Sequence, residues 1–329
     1  MKIAIAILNW NGKDLLAEFL PKIIEYSTGA AIYVIDNAST DDSVSFIQKN
    51  FPQVQVIQNA ENSGFAGGYN EGLKHIDADV YCLLNSDIEV TPHWLDPMYR
   101  LFENENIAAI QPKILDYNER NKFEYAGAGG GFLDNFGYPY CRGRVFWTLE
   151  KDTGQYDDEI QIFWATGACL FIRSDEFWKQ EGFDANFFAH MEEIDLCWRI
   201  NNTGKKIYYT GQSTVYHIGG ATLSNSPQKT YLNFRNSLWM LVRNLPQYKL
   251  VPVVFSRMVL DGITAVVFWI YNENGFGHFK AIFRAHISFY QQLGKYYKSR
   301  RKVSTKFWKH KFVPWQYFIV GRKTVDKLA

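Results

Sequence analysis

A short apolar run, Tyr81-Cys82-Leu83-Leu84, stops at Asn85-Ser86-Asp87, so a carboxylate follows directly on four strand-compatible residues. In an open α/β sheet the ligand crevice lies beyond the carboxyl ends of the strands, which places Asp87 where a ligand or a metal is met. Asn-Ser-Asp after a strand is also an ordinary turn, so the position gains weight only from its company. Asp36-Asn37-Ala38-Ser39 ends a second apolar run in the same way. Farther on, Glu192, Glu193 and Asp195 crowd the first turn of one helical segment, a placement that also simply suits the helix dipole. Gly64-Phe65-Ala66-Gly67-Gly68 lets main chain approach a ligand or another segment closely, yet it does not fit Gly-x-Gly-x-x-Gly and no Walker loop is present.

The elements that must hold these residues alternate. Lys2 to Leu8, Ala31 to Ile35, Val54 to Ile57 and the run before Asn85 read as buried strands. Asp14 is placed to cap a helix after the first of them, and Thr40-Asp41-Asp42-Ser43 to open a helix with acidic residues in its first turn. Asn62 to Gly72 is a glycine-rich entry into a helix ending near His75. Thr91-Pro92 should start a helix running to about Asn104, before a strand from Ile107 to Ile114. This spacing predicts an α/β fold with a largely parallel sheet covered on both faces. Residues 116–158, rich in glycine and aromatics, are expected to form an irregular lobe over the site. After it come a strand from Ala168 to Ile172, a short helix closed near Gly182, the acidic helix closing at Gly204, strands at Lys206–Thr210 and Ser213–His217, and a helix from Tyr231 to Arg243.

With 329 residues the chain can hold one large domain with an appendage, or two domains. Its four cysteines are widely spaced, which excludes a zinc-finger pattern and favours a reduced compartment. The apolar run at Ile3–Leu8 is too short for the core of a secretory signal and reads as a strand. A net charge of +1 conceals an asymmetry: residues 272–329 carry 13 Lys or Arg against Glu273 and Asp326, leaving about −10 for residues 1–271. An acidic body with a basic, aromatic tail suggests a domain held against an anionic surface.

Taken in order, Asn9-Trp10-Asn11-Gly12, Asp36 to Ser39, Asn62 to Gly72, Asn85-Ser86-Asp87, Thr166-Gly167-Ala168 and the Glu192-Glu193 helix resemble the family 2 inverting glycosyltransferases of GT-A fold, with bacterial rhamnosyltransferase-like members nearest in pattern. The resemblance covers roughly residues 1–240. It implies a Rossmann-like, mostly parallel sheet in residues 1–244, with a nucleotide-binding half at 1–115 and an acceptor and catalytic half at 116–244, followed by a helical, basic and aromatic extension at 245–329. Asn9, Asn11, Asp36, Asn37 and Ser39 would line a nucleoside pocket; Asn62, Gly64, Gly67, Gly68 and Asn70 would approach the nucleotide; Asn85 and Ser86 would flank it. Asp87 takes the place of the metal-binding carboxylate of an Asp-x-Asp motif, holding Mg²⁺ or Mn²⁺ against the diphosphate. His217, in Tyr216-His217-Ile218-Gly219-Gly220, would complete the metal shell, its alternative being a plain hydrogen-bonded histidine. The sequence departs from the pattern at Asn85, which replaces the first Asp, and at Glu193, which stands one methylene longer than the usual Asp base beside Glu192.

The resulting expectation is a metal-dependent transferase moving a sugar, rhamnose first, from a dTDP- or UDP-sugar to a saccharide or lipid-linked acceptor in cell-surface polysaccharide synthesis, as a peripheral protein of the inner membrane face with a homodimer in view. A nucleotidyltransferase and a catalytically silent scaffold of a polysaccharide assembly complex are the alternatives. No nucleic-acid module is recognised. Leu250 to Tyr271 is long and apolar, but Arg257 and Asp261 within it argue against a span and for a helix docked on the body or lying in the interface. Phe279, Ile282, Phe283, Phe289, Tyr290, Leu293 and Tyr297 recur at helical spacing opposite Lys280, Arg284, Lys295 and Lys298, before Arg300-Arg301-Lys302 and the aromatics Phe307, Trp308, Phe312 and Trp315. That pattern suits a monotopic membrane anchor, or a helix packed on its own domain.

Overall fold

Ile3, Ile5 and Ile7 point to one side of the first strand and Ala4 and Ala6 to the other, and all five are fully buried, so this strand is covered on both faces. A computed structural model describes residues 1–219, 226–301, 303 and 306–329; Gly220 and Lys302 lie outside the described residues. The chain opens with β1 (Ile3–Asn9), α1 (Lys13–Tyr26), β2 (Ala31–Asp36), α2 (Ser43–Asn50), β3 (Gln55–Gln58), α3 (Gly64–Leu73) and β4 (Val80–Asn85), the alternation expected of a parallel sheet. Then follow β5 (Ile88–Val90), α4 (Asp96–Leu101) and β6 (Ile107–Asp116). Short strands β7 (Gly131–Leu133), β8 (Pro139–Cys141), β9 (Arg144–Val145) and β10 (Thr148–Leu149) precede β11 (Glu159–Ile162), β12 (Cys169–Arg173), α5 (Ser174–Lys179), α6 (Glu192–Asn202) and β13 (Lys206–His217). The remainder is helical: α7 (Pro227–Asn244), α8 (Gln247–Tyr271), α9 (Gly275–Lys298) and α10 (Val313–Phe318).

The main sheet runs β11-β13-β6-β12-β4-β1-β2-β3, with β5 pairing to β13. Neighbours are parallel from β3 through β4 and between β6 and β13, whereas β12 is antiparallel to both β4 and β6. One core cluster joins Ile3, Ile5 and Ile7 to Leu16 and Phe19 of α1 and to Trp94 and Met98. The other joins Ala4 and Ala6 to Tyr69 and Leu73 of α3, Leu196 and Trp198 of α6, and on to Phe289, Tyr317 and Leu328. Residues on both sides of position 115, and the C-terminal helices, therefore share one core.

Several local expectations are corrected. Gly12, not Asp14, occupies the N-cap of α1, and Asp41 accepts from the Lys13 N–H at 3.3 Å instead. Asp41 also accepts from the Ser43 N–H and hydroxyl, at 3.1 and 2.6 Å, so it stays outside α2, whose first turn carries no acid. The helix after Thr91-Pro92 is only the six residues of α4, because the Thr91 hydroxyl donates to the Thr214 carbonyl (2.7 Å) and ties the chain to β13 before a helix begins. The two strands expected at 206–217 are one, β13, whose pairing with β6 shifts register between Thr210 and Thr214. The stretch 116–158 is not merely irregular: β7 to β10 form a separate four-stranded antiparallel sheet.

Candidate active site

The ends of β1 and β2 are in register, Asn9 opposite Asp36. Asn9 Nδ2 donates to Asp36 Oδ1 (3.0 Å) and to Ser39 Oγ (3.2 Å), and the Ser39 N–H donates to Asp36 Oδ2 (3.0 Å). Asn11, at φ 51°, donates its N–H to Ser39 Oγ (2.9 Å) and accepts from the Thr40 N–H (2.7 Å). Asn37 Nδ2 donates to Asn62 Oδ1 (2.9 Å) and to the Gly64 carbonyl (3.0 Å). These contacts bring Asn9, Asn11, Asp36, Asn37, Ser39 and Asn62 to one sheet edge, and Asn9 Oδ1 is buried there without a partner. A carboxylate and several amides fixed at strand ends can accept from and donate to a ribose and a base.

The glycines and Asn70 are placed differently from the expectation. A Cβ at Gly68 would lie 2.9 Å from Asn37 Nδ2 and 2.9 Å from Leu8, and one at Gly64, where φ is +74°, would lie 2.5 Å from Phe188. Gly67 faces Ser63 in the same manner. The run is therefore spent on seating α3 against protein, and in particular on bringing its start against the loop before α6, where the Ala66 N–H donates to the Phe188 carbonyl at 3.1 Å. Asn70 donates to the Phe183 carbonyl (2.7 Å) and accepts from its N–H (3.0 Å), so both ends of its amide are committed to main chain.

Asp87 follows the last residue of β4, Asn85, by two positions, Ser86 and Asp87 forming the turn into β5, which pairs antiparallel with the end of β13 and sets His217 opposite Ile88. His217 Nε2 lies 3.1 Å from Asp87 Oδ1 and 3.4 Å from Asn85 Nδ2, while Nδ1 lies 3.2 Å from Glu124 Oε2. All three ionisable side chains are buried. Burial disfavours the imidazolium, but Asp87 and Glu124 outweigh it and push its pKa up to about 10. Once its Nε2 proton is given up, His217 together with an Asp87 oxygen suits a divalent cation of the Mg²⁺ to Mn²⁺ range, with Glu124 orienting the ring from behind, so binding of the cation would release a proton. Among the described residues no group of three or more His, Cys, Asp or Glu side chains is placed to hold a metal ion, so beyond Asp87 and His217 the positions would fall to ligand oxygens and water. Glu124 went unnoticed in the sequence; it lies in the glycine-rich lobe, 93 residues before His217, with no motif around it.

Glu192 and Glu193 open α6 as expected. Glu192 is 4% exposed while Glu193 keeps partial access, and the Oε2 of each, with the Nε2 of nearby His190, is buried without a partner. These three unpartnered polar atoms within four residues are available to a ligand's polar groups or to water. Burial pushes Glu193 up to about 7 and Glu192 upward as well, Glu192 also through the charge of Glu193. Burial, with the charge of Lys229, pushes His190 down to about 4.

The loop entering α6 is strained: Phe188, His190 and Met191 have φ of 65, 71 and 73°. Asn236 of α7, fully buried, donates to the carbonyls of Phe187 (2.9 Å), Ala189 (2.9 Å) and His190 (2.7 Å). Asp195, one turn into α6, accepts from Arg199, Arg243 and Asn244 at 2.8 Å each. Helix α7 thus sets where α6 begins. Asn236→Ala is expected to lower kcat by about 10- to 100-fold with donor KM little changed, since a displacement on the order of 1 Å at a reacting group costs that much. Steady-state kinetics at several pH values checks it; an unchanged kcat and pH profile would remove Asn236 from any positioning role.

A mostly parallel sheet with amides and carboxylates gathered at its strand ends, and an acidic helix start seated against the same edge through Gly64 and Phe188, defines a nucleotide-sugar transferase of the GT-A class. Solved structures share that fold. The UDP-GlcNAc complex of Staphylococcus aureus TarS residues 1–349 superposes with a TM-score of 0.57 at 14% identity over 91% of each chain. GalNAc-T7 with UDP, GalNAc and Mn²⁺ gives 0.57 at 17% identity over 76% of this chain and 49% of that one. Residues 4–175 match the model of glycosyl transferase family 2, more than half the chain, and the protein belongs to that family. It is similar to a low-salt glycan biosynthesis hexosyltransferase of Haloferax volcanii, 23% identical over 71% of this chain and 73% of that protein. It is also similar to an N-acetylglucosaminyl-diphospho-decaprenol L-rhamnosyltransferase of Mycobacterium tuberculosis, 22% identical over 60% and 69%. The chain is a glycosyltransferase using a nucleotide-activated sugar.

Proposed function

We propose that the protein transfers a rhamnosyl or related hexosyl group, with inversion, from a dTDP- or UDP-sugar to a saccharide acceptor carried on a lipid. The rhamnosyltransferase of M. tuberculosis, named for a diphospho-decaprenol acceptor, supports this choice of donor sugar and acceptor class. The nucleoside rests on Asn9, Asp36 and Ser39, with Asn11, Asn37, Asn62 and Ser86 completing its surroundings. Asp87 and His217 hold a divalent cation, Mn²⁺ in preference to Mg²⁺ because one of the two donors is an imidazole. Bound there, the cation neutralises charge on the departing nucleoside diphosphate.

Glu193 takes the proton from the acceptor hydroxyl, whose oxygen attacks the anomeric carbon as the bond to the diphosphate breaks. The observation that carries this reading is the unpartnered, buried Oε2 of Glu193 at a carboxyl held near pH 7. Glu192, more deeply buried, has its carboxyl pushed upward by that burial and by the charge of Glu193. The boundary at residues 244 and 245 belongs to the same reading, the helices beyond it serving attachment to the cytoplasmic face of an anionic membrane, and a homodimer is part of the same proposal.

A thermal-shift screen of nucleoside diphosphates and their sugars, with and without Mn²⁺, tests the donor site, since a ligand of the native state raises its apparent stability. A Mn²⁺-dependent rise with dTDP or UDP is expected. No rise with any nucleoside diphosphate would overturn the assignment.

A further inference from the structure

The C-terminal helices carry an amphipathicity that is inside out. Along α8, Leu250, Val253, Arg257, Asp261 and Ala265 form the buried stripe. Arg257 donates to the carbonyls of Phe136 and Gly137 (3.2 Å each) and to Ser237 Oγ (2.5 Å), and Asp261 pairs with His286 of α9 at 3.2 Å. The two charges that argue against a membrane span thus point into the protein. The opposite stripe, Val251, Phe255, Val259, Ile263, Val266 and Ile270, faces solvent, with Val251 74% and Phe255 69% exposed. A helix of 25 residues is about 37 Å long, and this stripe follows nearly all of it.

Helix α9 continues the surface. Its inward residues are Ala281, Ile282, Ala285, Phe289 and Tyr296, while Phe283, Ile287, Tyr290 and Tyr297 face out. The seam is closed by Tyr290 Oη against Met258 Sδ (3.5 Å) and by Trp269 against Phe276 and Phe279, with ring centroids 5.9 and 5.4 Å apart. Fifteen of the twenty-five exposed large apolar side chains among the described residues lie on these two helices. The aromatics expected to anchor the tail are partly consumed elsewhere: Phe307 stacks on Trp198 at 4.8 Å and Phe312 packs on Phe136 at 4.9 Å.

We infer that the solvent face of the α8–α9 hairpin, with α8 as its apolar keel, is the surface that lies in the headgroup and acyl boundary of an anionic bilayer. Charge selects this occupant. Lys280, Arg284, Lys295 and Lys298 are exposed along α9, against the single acid Glu273 between residues 272 and 301, whereas Arg300 and Arg301 turn back onto the body, Arg300 to the Val242 and Leu245 carbonyls and Arg301 to Glu181. Two copies meeting through this face about a twofold axis would bring like charges together, whereas anionic headgroups neutralise them. An apolar stripe flanked by Lys and Arg with aromatics at its ends is what interfacial helices present. The inference deepens the membrane attachment proposed above and is independent of the donor-site assignment.

The test uses the full chain in vesicle flotation with phosphatidylcholine alone and with 30% phosphatidylglycerol, a fraction of about one anionic lipid in three. The wild type should float with the anionic vesicles, and Val259→Glu/Ile263→Glu should reduce the floated fraction at least about tenfold. Because both side chains already face water, the variant should keep its melting temperature and any shift produced by nucleoside diphosphate and Mn²⁺. Lys280→Glu/Arg284→Glu should reduce binding to anionic vesicles alone. Flotation of Val259→Glu/Ile263→Glu equal to wild type, failure of the wild type to float, or a wild-type dimer in sedimentation that this variant turns into monomer would each overturn the inference. Flotation that persists without any nucleotide effect would instead count against the donor site and leave the membrane surface standing.

Discussion

Glu193→Gln should lower transferase turnover by about 10²- to 10⁴-fold, the range that positioned proton transfer supplies, while leaving the thermal shift with nucleoside diphosphate and Mn²⁺ intact. The substitution keeps the side chain's size and removes only its capacity to take a proton. Because burial holds this carboxyl near 7, wild-type kcat should climb through about pH 7 as it ionises. Stability moves the other way. The folded-state pKa is raised above that of an exposed glutamate, so the stability tied to its proton is complete below about pH 4 and is lost as pH rises through 7. Glu193→Gln should therefore match the wild type in melting temperature at pH 4 and exceed it at pH 8. Full transferase activity in the variant would exclude Glu193 as the base.

Asp87→Ala should weaken Mn²⁺-dependent donor binding by more than about 100-fold, since loss of a direct ligand should exceed the 10- to 100-fold typical of outer-shell partners. It also leaves His217 facing Glu124 alone. Glu124→Gln, which touches no metal in this reading, should cost about 10- to 100-fold by releasing the imidazole. Asn85→Asp adds charge 3.4 Å from the same ring nitrogen and should tighten metal binding. Isothermal titration with Mn²⁺ and nucleoside diphosphate measures all three. Equal Mn²⁺ dependence in Asp87→Ala and wild type would place the cation elsewhere.

The parallel half of the sheet was legible because β1, β2 and β4 announce themselves by unbroken apolar runs that stop at polar residues, and the site side chains at those ends are fixed by register alone. Asp36 and Asn9 meet because their strands are paired, which periodicity predicts. Glu124 and Asn236 were not legible, since each acts through a tertiary contact: one reaches a histidine 93 residues away, the other holds carbonyls about 46 to 49 residues earlier. Asn70 and the glycines were legible only as positions that permit close approach; that Phe183, Asn37 and Phe188 approach them is a tertiary fact. In the tail the helical period was legible, but which face of α8 meets the body was left open. Arg257 and Asp261 face inward because Ser237, two glycine-lobe carbonyls and His286 supply them with partners, contacts that no local pattern announces.

The route by which β13 joins the sheet bears on the order of folding. Its parallel pairing with β6 joins residues about 100 positions apart, and the Asp87–His217 contact spans 130. Loop closure over such distances comes late, after the local β1-α1-β2 and β2-α2-β3 units have formed. Nucleation can thus proceed with the nucleoside side of the crevice assembled and the cation side proposed at Asp87 and His217 still open, and competence to retain Mn²⁺ would mark the docking of β13, the strand beside the β11 edge. In a refolding experiment, recovery of metal-dependent nucleotide binding should trail recovery of the far-ultraviolet signal.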